Sequence, residues 1–392
     1  MRLLVAFDKF RDSLSAPAAC AIATREISRL RPHWEIDEAP LTDGGEGFAE
    51  LLTRQLHGER IVVPTTGPRQ APVDAVIGLV DWRQVPGEAR DLLDLPALGP
   101  GERIAVVEMA AASGLGLLRP EERDPWQTTT VGTGTLLRAA AAKGVKAIVL
   151  GVGGSATNDL GLGALSVLGL EFRDTAGHGL APPVPAVWPQ ITAIAGRIDP
   201  ALPPLRIACD VTNPLLGAGG AATVFGPQKG LAAADVARLD SEAERLARML
   251  CRHCGQPLAL TGTAGAGAAG GLAFGLLATG RAQLVPGFPL FRAWCEIDRR
   301  VTAADLVLTG EGCFDATSLL GKGPGALLAA AHTAGRRTII LAGKVGAAPE
   351  GGWPPEARPQ SITPDGLPLA QALREAPVRL AAAVRTALSG ID

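Results

Sequence analysis

The sequence of 392 residues is short of charge: 19% of it is Asp, Glu, Lys or Arg, the formal net charge is -2, and no basic run occurs. Nothing in that composition attracts a nucleic acid or an anionic membrane, so a small-molecule ligand is expected instead. A secretory signal is also missing, and the six cysteines (Cys20, Cys209, Cys251, Cys254, Cys295, Cys313) are scattered along the chain. Reduced thiols and a cytoplasmic location are therefore expected. Cys251 and Cys254 form C-x-x-C, but no second pair or usable histidine spacing accompanies them, and they read as a helix-end coincidence without zinc. The uncharged stretch 254–280 is long enough to raise the question of a membrane span, yet its eight glycines and one proline mark it as buried soluble structure.

What is present is length for two domains and 47% hydrophobic residues, the composition of a globular protein. The chain is organised around 146–171, KAIVLGVGGSATNDLGLGALSVLGLE. Residues 146–150 read as a buried strand that breaks at Gly151. Gly153 and Gly154 let the turn amides converge, and Ser155, Thr157, Asn158 and Asp159 offer caps and polar groups before a helix carrying Leu162, Leu165 and Leu168. Three readings fit that stretch. It is a packing turn, a dinucleotide loop (Gly151, Gly153 and Ala156 fit G-x-G-x-x-A, with Glu171 further on), or a phosphate cradle at a helix N-terminus.

Further loops of the same kind follow strand-like runs. Strand 2–8 and helix 15–30 flank Asp8, Lys9, Arg11 and Ser13, either a solvated turn or an anion site. Strand 35–40 leads to Asp43, Glu46 and a glycine-rich helix start, where the carboxylates would cap the helix or hold Mg2+. The runs 60–63, 73–80 and 103–109 imply hairpins, residues 81–102 an exposed excursion, and Glu108 a carboxylate that must be paired or functional. Residues 128–134, TTTVGTG, form a second candidate cradle or a capped turn. Strand 205–211 delivers Asp210, and helix 233–252 is amphipathic scaffold. Gly265 and Gly267 belong to a formal G-x-G-x-x-G with a poor preceding strand. Strand 304–309 ends near Glu311, Asp315 and Lys322, an acid and ammonium set suited to phosphate chemistry. It is not a Walker A loop, because Thr317 stands where that loop needs glycine and Gly323 where it needs Ser or Thr. Strands at 338–342 and 360–363 and a helix at 367–388 close the chain.

Taken together, the motifs resemble the glycerate kinase family of the common bacterial type. They are DKFRDSLSA (8–16), TDGGEG (42–47), EMAAASGL (108–115), TTTVGTG (128–134), LGVGGSATND (150–159), CDVTNPLLG (209–217), FGPQKG (225–230), GAGAAGGL (265–272), ADLVLTGEG (304–312) and AGKV (342–345). The resemblance implies an α/β protein of two domains: a flavodoxin-like parallel sheet from both chain ends (1–58 and 290–392) and an inserted α/β domain with a mixed sheet (59–289). It also implies ATP- and Mg2+-dependent phosphorylation of D-glycerate to 2-phosphoglycerate, with a homodimer as a candidate assembly. The expected catalytic residues are Asp43, Asp315, Lys322 and Arg11. Gly153, Gly154, Ser155, Asn158, Gly265, Gly267 and Glu311 would bind the nucleotide, and Asp8, Lys9, Ser13, Glu46 and Asp210 the substrate. Asp43, Asp159 and Asp315 are the expected metal ligands. Members of that family usually carry Lys-Gly where this chain has Arg11-Asp12, Arg where it has Cys313, and Gln where it has Thr317. The lost arginine leaves a related small hydroxy acid as an alternative acceptor. From other classes, a nicotinamide-dependent oxidoreductase and a non-catalytic binding protein are the rival readings.

Overall fold

The run Leu3-Leu4-Val5-Ala6-Phe7 is apolar throughout and too short for a helix, and it forms a strand in which each of those residues is buried. The computed structural model describes every residue except Arg11, Asp43, Lys322 and Asp392. In chain order the strands are β1 (Arg2–Phe7), β2 (Glu35–Glu38), β3 (Glu59–Thr66), β4 (Pro72–Asp81), β5 (Arg103–Glu108), β6 (Ile148–Gly151), β7 (Leu170–Arg173) and β8 (Ala193–Gly196). They continue as β9 (Leu205–Cys209), β10 (Ala282–Pro286), β11 (Leu306–Gly310), β12 (Cys313–Phe314), β13 (Arg337–Ala342), β14 (Lys344–Val345) and β15 (Pro359–Ser361).

One compact unit comprises Met1–Asp43 and Phe291–Asp392. Its sheet runs β15-β13-β11-β1-β2 with every neighbour parallel. Numbered within the unit this is 2-1-3-4-5, the flavodoxin-like order, whose direction reverses between β1 and β11. Helix Ala16–Leu30 starts where the Ser15 hydroxyl accepts from the Ala18 amide, with proline in its first turn. It packs with helix Leu369–Leu388, and Ile27, Leu380 and Val384 close over Val5, Phe7 and Leu308.

The second unit is Gly44–Leu290. Its sheet runs β10-β9-β6-β5-β4-β3, antiparallel from β3 to β5 and parallel from β5 to β10. Val107, Leu136, Leu150, Leu165 and Phe274 belong to one continuous core. The α/β class, the β3–β4 hairpin and the parallel strands from both chain ends agree with the sequence reading. Among the described residues no helix is long and apolar enough to cross a membrane.

Several expectations need correction. The unit boundary falls after residue 43 and not near 58, because helix Phe48–Gln55 buries Phe48, Ala49 and Leu52 and packs on β4 and β5. Residues 81–102 are not a wholly exposed excursion: a short turn and helix Gly87–Leu93 bury Trp82, Val85, Ala89 and Leu93. Strand β10 and the small β7–β8 hairpin carry too weak an alternation to be read in advance. The helix after β6 begins at Leu162, later than Ser155.

Candidate active site

In the second unit the parallel strands β5, β6 and β9 end together, and their loops carry most of the residues singled out above. Glu108 closes β5 with 6% exposure. Its Oε1 accepts from the Gly47 amide at 3.1 Å and its Oε2 from the Ala49 amide at 3.2 Å, so this carboxylate caps helix Phe48–Gln55. The buried acid is paired. Glu46, immediately before Gly47, is exposed.

Gly151 and Gly153 are dictated by close packing against the 44–48 loop. A Cβ on Gly151 would lie 2.6 Å from the Gly44 oxygen, and one on Gly153 would lie 2.6 Å from the Gly45 Cα. The Gly153 amide donates to the Gly44 carbonyl at 3.0 Å, which takes it out of the expected anion cradle. Gly154 does adopt a left-handed conformation, φ 72°, and a Cβ on it would lie 3.6 Å from the Ala110 Cβ. Ser155 follows, buried at 9% and bridged to Gly114.

Asp159 corrects the expectation of a metal ligand. Its side chain is fully buried, and Oδ2 accepts from the Thr130 amide (2.7 Å), the Thr130 hydroxyl (2.8 Å), the Thr129 hydroxyl (3.3 Å) and the Gly163 amide (3.2 Å). Oδ1 takes the Gly161 amide at 3.1 Å. Burial pushes its carboxyl above the usual range, and the Thr130 bonds oppose that rise. The same carboxylate occupies the amides at the start of helix Leu162–Val167, so neither that helix nor the threonine loop is an open anion cradle.

Sequence reading assigned no role to Lys229, although it is the lone charge within 221–234. It is 1% exposed, and its ammonium donates to the Thr157 carbonyl at 2.7 Å and to Asn158 Oδ1 at 3.3 Å. Burial pulls its pKa down to about 7, with Asp159 acting against the fall. Asn158, 3% exposed, keeps Nδ2 buried without a partner among the described residues, and the Thr157 hydroxyl is likewise buried without one among them. Lys229 thus fixes the polypeptide immediately after Ser155, where a bound anion was expected.

Asp210 lies at the end of β9 and takes the Phe288 amide at 3.0 and 2.9 Å through its two oxygens. Gly265 and Gly267 serve packing. A Cβ on Gly267 would lie 2.3 Å from the Pro214 oxygen, and the Gly267 amide donates to Asn213 O at 3.0 Å. The segment before them is the short helix Leu258–Gly262, so the strand that a dinucleotide fingerprint requires is absent there.

In the first unit the loops after β1, β11 and β13 are stitched together at the reversal point. The Asp8 amide donates to Gly310 O (2.9 Å), Gly312 to Lys9 O (3.3 Å), and Gly343 to Glu311 O (2.9 Å). Asp8 Oδ1 accepts the Lys9 amide at 2.6 Å, while Oδ2 lies 3.2 Å from where a Cβ on Gly323 would sit. Asp8, Lys9 and Glu311 therefore gather near the start of helix Gly323–Thr333. The Ser13 hydroxyl donates to Phe10 O at 3.0 Å within the first loop. Asp315 caps the turn Ala316–Leu319, and Oδ1 accepts from the Thr317 hydroxyl (2.6 Å) and amide (2.8 Å). Those bonds hold its carboxyl below the usual range. Cys313 is exposed, 3.9 Å from Asp315 Oδ2. The expected residues Arg11, Asp43 and Lys322 lie outside the described residues.

The sequence model of the glycerate kinase family matches residues 3–391. A glycerate kinase of Halalkalibacterium halodurans is 36% identical over 346 residues, 88% of this chain and 86% of that protein. One from Bacillus subtilis is 37% identical over 347 residues, covering 88% and 85%. A glycerate 2-kinase of Escherichia coli is 33% identical over 326 residues, covering 83% and 80%. The crystal structure of a protein described as a glycerate kinase 2 from Salmonella typhimurium LT2 superposes with TM-score 0.72 at 33% identity, over 99% of this chain and 97% of that one. On these matches the chain belongs to the glycerate kinase family, and with it to the phosphotransferases.

Proposed function

We propose that the protein transfers the terminal phosphoryl group of ATP to the 2-hydroxyl of D-glycerate and releases ADP and 2-phosphoglycerate. The observation that carries this reading is the stitched set of loops after β1 and β11, where Asp8, Lys9 and Glu311 lie together at the reversal point of a flavodoxin-order sheet. Open α/β sheets bind their ligands at that point. The relatives named glycerate kinase, and the Escherichia coli protein named for the 2-position, support the choice of acceptor.

In this reaction the glycerate hydroxyl oxygen bonds to the γ-phosphorus, the bond from that phosphorus to the bridging oxygen breaks, and ADP leaves with the electron pair. The hydroxyl proton passes to a carboxylate, for which Asp43 and Asp315 are the candidates. Lys9, Lys322 and Arg11 supply positive charge for the phosphates or the substrate carboxylate. Positioning and charge neutralisation account for most of the rate in such transfers.

Mg2+ fits the residues present. Among the described residues no three Asp, Glu, His or Cys side chains cluster into a metal cage. An ion carried by nucleotide phosphates needs only one or two carboxylates, because it keeps waters as its other ligands. Glu311 and Asp315 would be those carboxylates, and Asp315 Oδ2 is not engaged by Thr317. A metal held there would supply neutralisation of the phosphate charge.

Cys313 favours one second reading, a related small hydroxy acid as acceptor, because its short uncharged side chain cannot clamp a carboxylate as a guanidinium would. A coupled assay of ADP release tests both. Turnover that requires ATP, Mg2+ and D-glycerate supports the first reading, turnover only with another hydroxy acid supports the second, and no release with any acceptor contradicts both.

A further inference from the structure

Arg206, the second residue of β9, is 5% exposed. Its guanidinium donates from Nε to Leu93 O, from Nη1 to Leu205 O at 3.3 Å, and from Nη2 to Asp94 O at 2.5 Å. All three acceptors are backbone carbonyls. Their dipoles solvate the cation but leave its charge uncancelled, and a buried charge without a partner is costly. Burial depresses the basicity of this guanidinium, and exposed Asp94 offsets part of that from outside hydrogen-bonding reach of its carboxylate.

A cavity of about 350 Å3 is lined by this arginine together with Pro96, Pro204, Gly280, Arg281 and Gln283. That volume is within the range of small-molecule sites. Arg281 donates Nη1 to Leu202 O at 2.9 Å, and neither arginine has an ion-pair partner among the described residues. A guanidinium carries five N–H donors, so most of those on Arg281 are unspent. Two cations therefore line one hollow, with donors to spare. The hollow lies where β9 and β10 begin, at Leu205 and Ala282, the opposite sheet edge from the ends that carry Gly151 and Asp210.

We propose that this cavity binds a small phosphate-bearing anion between Arg206 and Arg281, at a site separate from the strand-end loops. Guanidinium forks suit phosphate oxygens, and an anion there supplies the missing counter-charge to both arginines. The inference does not rest on the kinase reading, since it uses none of the same residues.

The test is calorimetric titration of inorganic phosphate into the full chain, as wild type and as Arg281→Ala, each with and without a saturating non-hydrolysable ATP analogue. Arg281 lies on the edge remote from the strand-end loops, so activity without phosphate is expected to be unchanged in the variant. In wild type, one phosphate-binding event should survive the analogue. In Arg281→Ala that event should weaken roughly tenfold or more, as expected for lost charge-assisted hydrogen bonds. Arg206→Lys, which keeps the charge but not the fork, should weaken it too and guards against misfolding of a bulkier change. Equal phosphate affinity in wild type and Arg281→Ala, or loss of all phosphate binding in the presence of the analogue, would overturn the proposal and leave Arg206 as a clasp holding residues 93 and 94 to β9. Loss of kinase activity with phosphate binding intact would sink only the kinase reading.

Discussion

The ammonium of Lys229 lies 2.7 Å from the carbonyl oxygen of Thr157, with both residues shut away from solvent. Its pKa, down to about 7 from an ordinary 10.5, couples folding to pH. Between those two values the unfolded chain holds a proton that the folded chain lacks, so stability rises with pH by at most about 1.4 kcal/mol per unit from this group. Below pH 7 both states are protonated and the contribution is flat. In Lys229→Met the rise should vanish, visible as a sloping difference between wild-type and variant unfolding free energies from pH 7 to 10. A flat difference would contradict it.

Asp159→Ala should destabilise the protein by about 3 kcal/mol or more, because the amides of Thr130, Gly161 and Gly163 would be left buried without an acceptor. Urea unfolding measures this, and added Mg2+ should not restore the loss. A variant of wild-type stability that needs more Mg2+ for activity would return Asp159 to the role of metal ligand.

Glu108→Ala removes the cap of helix Phe48–Gln55 and should cost about 2 kcal/mol. Glu108→Gln keeps an acceptor oxygen and should recover part of that. Equal stability of all three proteins in thermal unfolding would show that the cap contributes nothing.

The central strands of the first unit were readable because β1 and β11 are short apolar runs closed by an acid or glycine, as in Leu306–Gly310. Their common meeting point followed from strand order, which no local pattern records but which the parallel plan implied. Asp159 misled because an acid beside glycines and threonines looks alike whether it faces a ligand or ties down amides. Lys229 escaped because burial of a lysine depends on the carbonyls that Thr157 and Asn158 bring from a distant segment. Gly265 and Gly267 satisfied a sequence pattern while meeting close backbone, at Val211 and at Pro214 respectively, which is visible only in three dimensions.

Asp315→Asn retains an N-capping side chain, so the turn Ala316–Leu319 and the melting temperature should be unchanged. If Asp315 accepts the glycerate proton or holds the metal, kcat should fall by about a hundredfold or more. Wild-type turnover would remove it from the mechanism and leave Asp43 as the candidate base.

The most direct measurement is the proton-coupled phosphorus NMR spectrum of the product formed from ATP, Mg2+ and D-glycerate. A phosphomonoester at C2 has one neighbouring proton, and a doublet is the expected result. A triplet from a C3 ester, or no phosphomonoester at all, would contradict phosphorylation of D-glycerate at its 2-hydroxyl.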